Sequence, residues 1–216
     1  MTQQKPTMHD ILAKIEFLFE HYSLERRATT QPYLLQTAQQ ELKGFVYNPD
    51  SPLIRETLME HVGSLPMLAT ALYPHIDDPE VDLGKTLTML AIHDIGELTI
   101  HDEITFTKKS GDNATEREAA FNLLDPMYYG LYDDTEAKGS TSAKFAKAID
   151  KINPDIIDYL TPADITKQRY KHFLGIESDQ IIDTIVKHKR PYMLWNPFMT
   201  EFHTYLIEQL DKKLHA

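Results

Sequence analysis

Apolar residues recur every three or four positions along most of this chain, the spacing that lays a single stripe along a helix. Residues 8–22 carry Ile11, Leu12, Ile15, Phe17, Leu18, Phe19 and Tyr22 in this manner. A second segment, Pro32 to Gly44, places Leu34, Leu35, Ala38 and Leu42 on one side, with Gly44 as a helix-ending residue. Together they predict a helical hairpin over residues 1–45. The Asn- and Pro-rich stretch 47–52 reads as a loop. The next helix is expected from Leu53 to Tyr73, with Leu58, His61, Leu65, Leu68 and Leu72 on its inner face and Pro66 kinking or dividing it. Asp82 can cap a helix running through Leu83, Leu87 and Leu90 to Asp94, and Gly96 marks its end or a close packing contact. Residues 98–112 read as an irregular loop, Thr115 opens another helix, and 133–142 reads as exposed. Ser142 can cap a helix to Ile152, which Asn153-Pro154 should interrupt. Residues 155–160, 162–174, 179–187 and 199–214 continue the helical pattern, while strand signals are scarce and no repeat is found.

Three of these stripes contain a polar residue where an apolar one is expected. His61 lies on the face shared by Leu58 and Leu65, the pair His93-Asp94 interrupts an apolar run, and Asp150 shares a face with Ala146 and Ile149. Burying an imidazole or a carboxylate is costly unless each finds a partner. Taken singly, His61 reads as a hydrogen-bonded core histidine, and Asp94 and Asp150 as ion-paired or surface aspartates. Taken together, two imidazoles and two carboxylates from three helices form a mixed nitrogen and oxygen donor set, suited to a divalent ion such as Mn, Co, Zn, Fe(II) or Mg. Such an ion acidifies a bound water and neutralises a phosphate oxygen, the requirements of phosphate ester hydrolysis.

Charge and composition narrow the field. A formal net charge of −11 disfavours a nucleic-acid polymer as partner, though a metal or a few cations can still attract a small anion. The chain has no cysteine, so disulfides and thiolate zinc sites are excluded. No run of about 18 apolar residues is present, so a membrane span is not expected and the cytoplasm is the default location.

The order His61…His93-Asp94…Asp150 resembles the signature of the HD-domain superfamily of metal-dependent phosphohydrolases. Glu60-His61 resembles the pair that opens its motif, Leu90 to Glu97 its L-x-H-D-x-x-E helix, and Ala148 to Ile152 the segment carrying the last ligand. Asp102, eight residues after Asp94, and the Thr115 to Ala119 stretch are similar to the branch of bacterial 5'-deoxynucleotidases. The resemblance spans roughly residues 50–190. It implies an all-α fold, an HD-domain helical bundle over residues 46–216 with a helical extension over 1–45. It implies His61, His93, Asp94 and Asp150 as ligands of one divalent ion, with Glu97 and Asp102 as catalytic residues. Arg55, Lys108 and Lys109 are the basic candidates for the substrate phosphate. The expected substrate is a small phosphorylated molecule, a nucleoside or deoxynucleoside monophosphate, and a homodimer is compatible with the sequence.

Departures and alternatives bear on that expectation. Only His101 stands between Asp94 and Asp150 as a further histidine, which favours one metal over two and disfavours di-iron oxygenase chemistry. An alarmone nucleotide is an alternative substrate, and a non-catalytic sensing or structural metal module an alternative role. Glu97 can equally bond backbone at a helix end, and Asp102 can form an Asx turn. His75, His172, His188, His203 and His215 read as surface residues. The aromatic stretch Arg190 to Phe198 reads as core packing, with a pocket wall or dimer contact as the alternative.

Overall fold

The computed structural model describes residues 7–100 and 112–216, and what it shows is an all-α architecture with one small β-ribbon. In chain order the elements are α1 (Met8–His21), β1 (Glu25–Thr30), α2 (Pro32–Glu41), β2 (Arg55–Thr57), α3 (Leu58–Leu72), α4 (Leu83–Ile92) and α5 (Glu97–Ile100). They continue as α6 (Asp112–Leu123), α7 (Tyr129–Ala137), α8 (Thr141–Leu160), α9 (Ala163–Leu174), α10 (Ile181–Lys189) and α11 (Pro197–His215).

Local chemistry fixes where the central helices begin. Thr57 caps α3 with a reciprocal pair of bonds: its Oγ1 accepts from the Glu60 amide at 3.2 Å, and Glu60 Oε2 accepts from the Thr57 amide at 2.7 Å. This satisfies two amides that the first turn would leave orphaned. Asp82 caps α4 through the Lys85 amide, Ser140 caps α8 through the Ala143 amide, and Asn196 caps α11 through the Met199 amide. Gly175, at φ +64°, closes α9 in the left-handed conformation that lets its amide reach the Lys171 carbonyl.

α8 is the axis of the bundle, packed by α3, α4, α7 and α11. Its inner face buries Ala146, Ile149 and Ile152 against Leu65 and Ala69 of α3, Met89 and Leu90 of α4 and Met199 of α11. Here the helix departs from the expected one. Ser140 rather than Ser142 is the cap, and the helix continues through Pro154 to Leu160. α3 likewise continues through Pro66. An internal proline removes one helix bond at a cost of about 3 kcal/mol, but both helices are held by buried residues on either side of it: Leu65, Ala69 and Leu72 in α3, and Ile152, Asp155 and Ile157 in α8. Residues 133–142, expected to be exposed, include the second half of α7, where Thr135 is buried.

The expected N-terminal hairpin is not a pair of helices alone. A strand separates α1 from α2, and β1 pairs antiparallel with β2, which takes the place of the expected first turns of α3. The residues of β1, Glu-Arg-Arg-Ala-Thr-Thr, show no apolar alternation, so the strand has no signal in the sequence. Its partner lies 25 or more residues away, and cross-strand ion pairs accompany the backbone ladder: Arg26 with Glu56 and Arg55 with Glu25, each at 3.1 Å.

His203, expected on the surface, is fully buried. Its Nε2 lies 3.5 Å from Asp155 Oδ2, and Asp155 Oδ1 accepts from Lys189 Nζ at 2.5 Å. This cluster ties α8, α10 and α11 together. Burial pushes the Lys189 ammonium below its ordinary pKa, and the Asp155 carboxylate opposes the shift. Removing one partner of a buried pair strands the other charge. Asp155→Ala is therefore expected to lower unfolding free energy by about 3–5 kcal/mol in urea titrations.

Candidate metal centre

The three polar interruptions of the apolar stripes meet in space. α3 supplies His61 from the middle of its buried face, α8 supplies Asp150 from its own, and the turn after α4 supplies His93 and Asp94. The pair does not sit inside a helix as expected. α4 stops at Ile92, and residues 93–96 form a turn that leads into α5. Gly96 makes that turn possible, because a Cβ there would stand 2.4 Å from the Glu116 carbonyl oxygen of α6. Only glycine allows so close a backbone approach.

His61 Nε2 lies 3.4 Å from Asp150 Oδ1 and 3.5 Å from Asp94 Oδ2. His93 Nε2 lies 3.1 Å from Asp94 Oδ1 and 3.6 Å from Asp150 Oδ1. Each imidazole nitrogen thus faces two carboxylate oxygens without forming one aligned hydrogen bond to either, and both are buried without a hydrogen-bond partner. Ligands at about 2.1 Å from a common ion stand roughly 3.0–3.4 Å apart across octahedral or tetrahedral edges. The 3.1 and 3.4 Å pairs fall in that range, and His61, His93 and Asp150 each offer a ligand atom within 4.8 Å of the others, whereas Asp94 groups by the same measure with Glu97 and Glu116. The donor set also fits, since imidazole and carboxylate together suit a borderline divalent ion.

Neighbouring groups orient the donors. The Leu90 carbonyl receives a bond from His93 Nδ1 at 2.8 Å, which turns Nε2 toward the carboxylates. Behind His61, Glu56 Oε2 stands 3.9 Å from Nδ1, and Glu56 is itself held by Gln31 Nε2 at 2.7 Å and Arg26 at 3.1 Å. Lys151 Nζ lies 2.9 Å from the outer oxygen of Asp150.

The electrostatics call for a cation. Asp94, Glu97 and Glu116 bring carboxylate oxygens within 4.8 Å of one another, and Asp94 belongs to this group as well as facing both histidines. Burial and the nearby Arg26 hold His61 down to about 4, so it is neutral, as a ligand must be. Burial also opposes charge on His93, but Asp94 and Asp150 outweigh it and raise His93 to about 10. Burial raises Glu56 to about 7, against the lowering pull of Arg26 and Gln31. Asp94 and Asp150 are held well below the ordinary carboxylate range: burial opposes this, but His93 beside Asp94 and Lys151 beside Asp150 outweigh it. A proton on His93 and a metal ion are two ways of supplying the same positive charge.

The other expected site residues fall in different places. Glu97 opens α5, buried, with its amide donating to the Asp94 carbonyl at 3.0 Å, and its carboxylate is in the group with Asp94 and Glu116. Arg55 is engaged elsewhere, with Glu25 Oε2 at 3.1 Å and the Asp50 carbonyl at 2.9 Å. Asp102, Lys108 and Lys109 lie outside the described residues, as does His101. Arg26 and Glu56 were not legible as site residues, since they reach His61 only through the β-ribbon. Glu116 sits in the Thr115 to Ala119 stretch, but its place beside Asp94 depends on how α6 meets the turn at Gly96.

A helical bundle whose α3, α8 and the turn after α4 bring two histidines and two aspartates together has the makings of a metal site. The HD domain family model matches residues 50–188, and the chain belongs to that family. The match begins at the loop before β2, so α1, β1 and α2 precede it. A crystal structure from Magnetospirillum magnetotacticum MS-1, described as a predicted metal-dependent phosphohydrolase, is similar with a TM-score of 0.59 and 22% identity, over 94% of this chain and 96% of that one. The PH0347 protein of Pyrococcus horikoshii OT3 is similar with a TM-score of 0.57 and 16% identity, over 93% of this chain and 98% of that one. At these identities the likeness is one of fold. No curated protein matches the chain.

Asp150→Ala and His61→Ala are expected to leave purified protein without stoichiometric divalent metal, measured by elemental analysis. Glu56→Ala should retain the site but weaken metal affinity about 10–100-fold by calorimetric titration, because His61 loses its support.

Proposed function

We propose that the protein is a metal-dependent phosphohydrolase that releases the 5'-phosphate of nucleoside or deoxynucleoside monophosphates, with one divalent ion held by His61, His93, Asp94 and Asp150. The observation that carries this reading is the convergence of His61, His93 and Asp150, with Asp94 oxygens 3.1–3.5 Å from both imidazoles and buried Glu97 next to Asp94. The phosphohydrolase description of the Magnetospirillum structure and membership of the HD family support it. When bound, the ion supplies positive charge for a phosphate oxygen and lowers the pKa of water into the neutral range.

The chain's own groups do the rest. Glu97 is the base: its carboxylate takes a proton from the attacking water as the new P–O bond forms. Asp102 is assigned the proton that the leaving ester oxygen needs when the old P–O bond breaks. The products are a nucleoside and inorganic phosphate, so the proton count closes. Lys108 and Lys109 are assigned to the phosphate as point charges. Arg55, already bound by Glu25 and Asp50, serves in this reading to anchor the ribbon behind His61. Glu56 and Arg26 hold the imidazole of His61 in place from behind. The ion's charge also resolves how a chain of net charge −11 can receive an anionic substrate. Among the described residues no helix is long and apolar enough to cross a membrane. A freely diffusing nucleotide is the substrate this reading expects, in the cytoplasm, with the protein acting alone or as a homodimer.

Glu97→Gln is nearly isosteric and should keep metal content while lowering the rate of phosphate release about 10²–10⁴-fold. The test pairs elemental analysis with a panel of ribo- and deoxyribonucleoside monophosphates in the presence of Mn, Co or Mg. Full metal occupancy with no turnover of any panel member by the unmutated protein would overturn the reading.

A further inference from the structure

A second concavity lies apart from the metal ligands, and its charge is opposite to that of the chain. It has a volume of about 550 Å³, between the end of α7, the partly exposed edge of α8, α10 and the turn that follows α10. Four lysines wall it: Lys138, Lys144, Lys147 and Lys187. In a protein with 33 acidic and 22 basic side chains, four ammonium groups around one hollow are not accounted for by average composition. Like charges gathered in this way raise the local potential unless anions offset them.

The protein supplies one such anion. Lys147 Nζ lies 2.6 Å from Glu136 Oε1. Among the described residues Lys138, Lys144 and Lys187 have no carboxylate partner, and Lys138 instead sits 5.0 Å above the ring of Tyr192. Trp195 lines the hollow beside Tyr192.

We propose that this hollow is a binding site for a polyphosphate-bearing ligand, separate from the metal centre. Such a ligand brings negative charge to three uncompensated ammonium groups and acceptor oxygens to a wall rich in donors, and lysines are well suited to phosphate as point charges. The volume is in the ordinary range for a small-molecule site. Tyr192 and Trp195 offer ring surface for a base, so the same chemistry can arrive as bare polyphosphate or as a nucleoside diphosphate. None of His61, His93, Asp94 and Asp150 lines the hollow, and the proposal stands or falls apart from any hydrolytic reaction.

Trp195 is the sole tryptophan of the chain, so tryptophan emission, excited beyond the tyrosine absorption band, reports on this wall alone. Sodium pyrophosphate and ADP are titrated separately into the purified protein at about 0.1 M salt, where screening is moderate. A saturable change in Trp195 emission with half-saturation below about 1 mM is expected. The K144Q/K187Q variant, with a melting temperature near that of the parent, should weaken it at least about tenfold. The single variants K144Q and K187Q should each weaken it less. Asp94→Asn, which disables the metal centre, should leave the response unchanged. Equal responses to both probes assign recognition to the phosphates, and a tighter response to ADP adds the aromatic wall. No saturable response to either probe, or a response lost in Asp94→Asn and kept in K144Q/K187Q, overturns the proposal.

Discussion

Everything at the centre of this molecule depends on placing more negative than positive charge inside a helical core. Asp94 and Asp150 face both His61 and His93, Glu56 stands behind His61, and Glu97 and Glu116 gather beside Asp94; all seven are buried or nearly so. Such a cluster is stable only if cations reach it. Arg26 arrives through the ribbon, Lys151 from the next position on α8, and the remaining demand falls on a proton at His93 or on a metal ion. The same imbalance that would destabilise an apo core makes it selective for a small, highly charged ligand.

The surrounding fold supplies rigidity where the site needs it. α3, which carries His61, starts at a capping box and remains helical through Pro66, so the imidazole projects from a fixed position. α8 carries Asp150 in its middle and is bound further along by the buried Asp155–Lys189–His203 cluster and by Asp158 with Arg169 and Tyr170. The turn at His93 and Asp94 is pressed against α6 by the absence of a side chain at Gly96. Donor positions are therefore determined by three packed elements rather than by a flexible loop, which is how a site holds a geometry before its ion arrives.

The basic hollow beside α7 and α10 shows the same physics with the sign reversed. In both places like charges are gathered in one small region. They share α8: Lys147 precedes Asp150 by three residues, so the helix that completes one site forms an edge of the other.

Periodicity alone located the helices that matter and put His61 and Asp150 on inward faces, because a stripe at helical spacing records which side is buried. The order of His61, His93, Asp94 and Asp150 along the chain resembles the HD signature, and the family match over residues 50–188 bears out that resemblance. Short-range signals expected Pro154 to interrupt α8 and left division of α3 open at Pro66, but both helices run on, since the local cost of a proline is visible in sequence while the packing that outweighs it is not. They missed the strand Glu25–Thr30 for a related reason: its pairing with Arg55–Thr57 is a long-range bond between polar segments, with no apolar alternation to announce it. From that one pairing follow the places of Arg26 and Glu56 behind His61. The polar residues that meet in the core were thus written in the sequence as inward-facing positions. Their orientation and their counter-charges were decided only when distant segments were brought into contact, because electrostatic partners are chosen by distance in space and not along the chain.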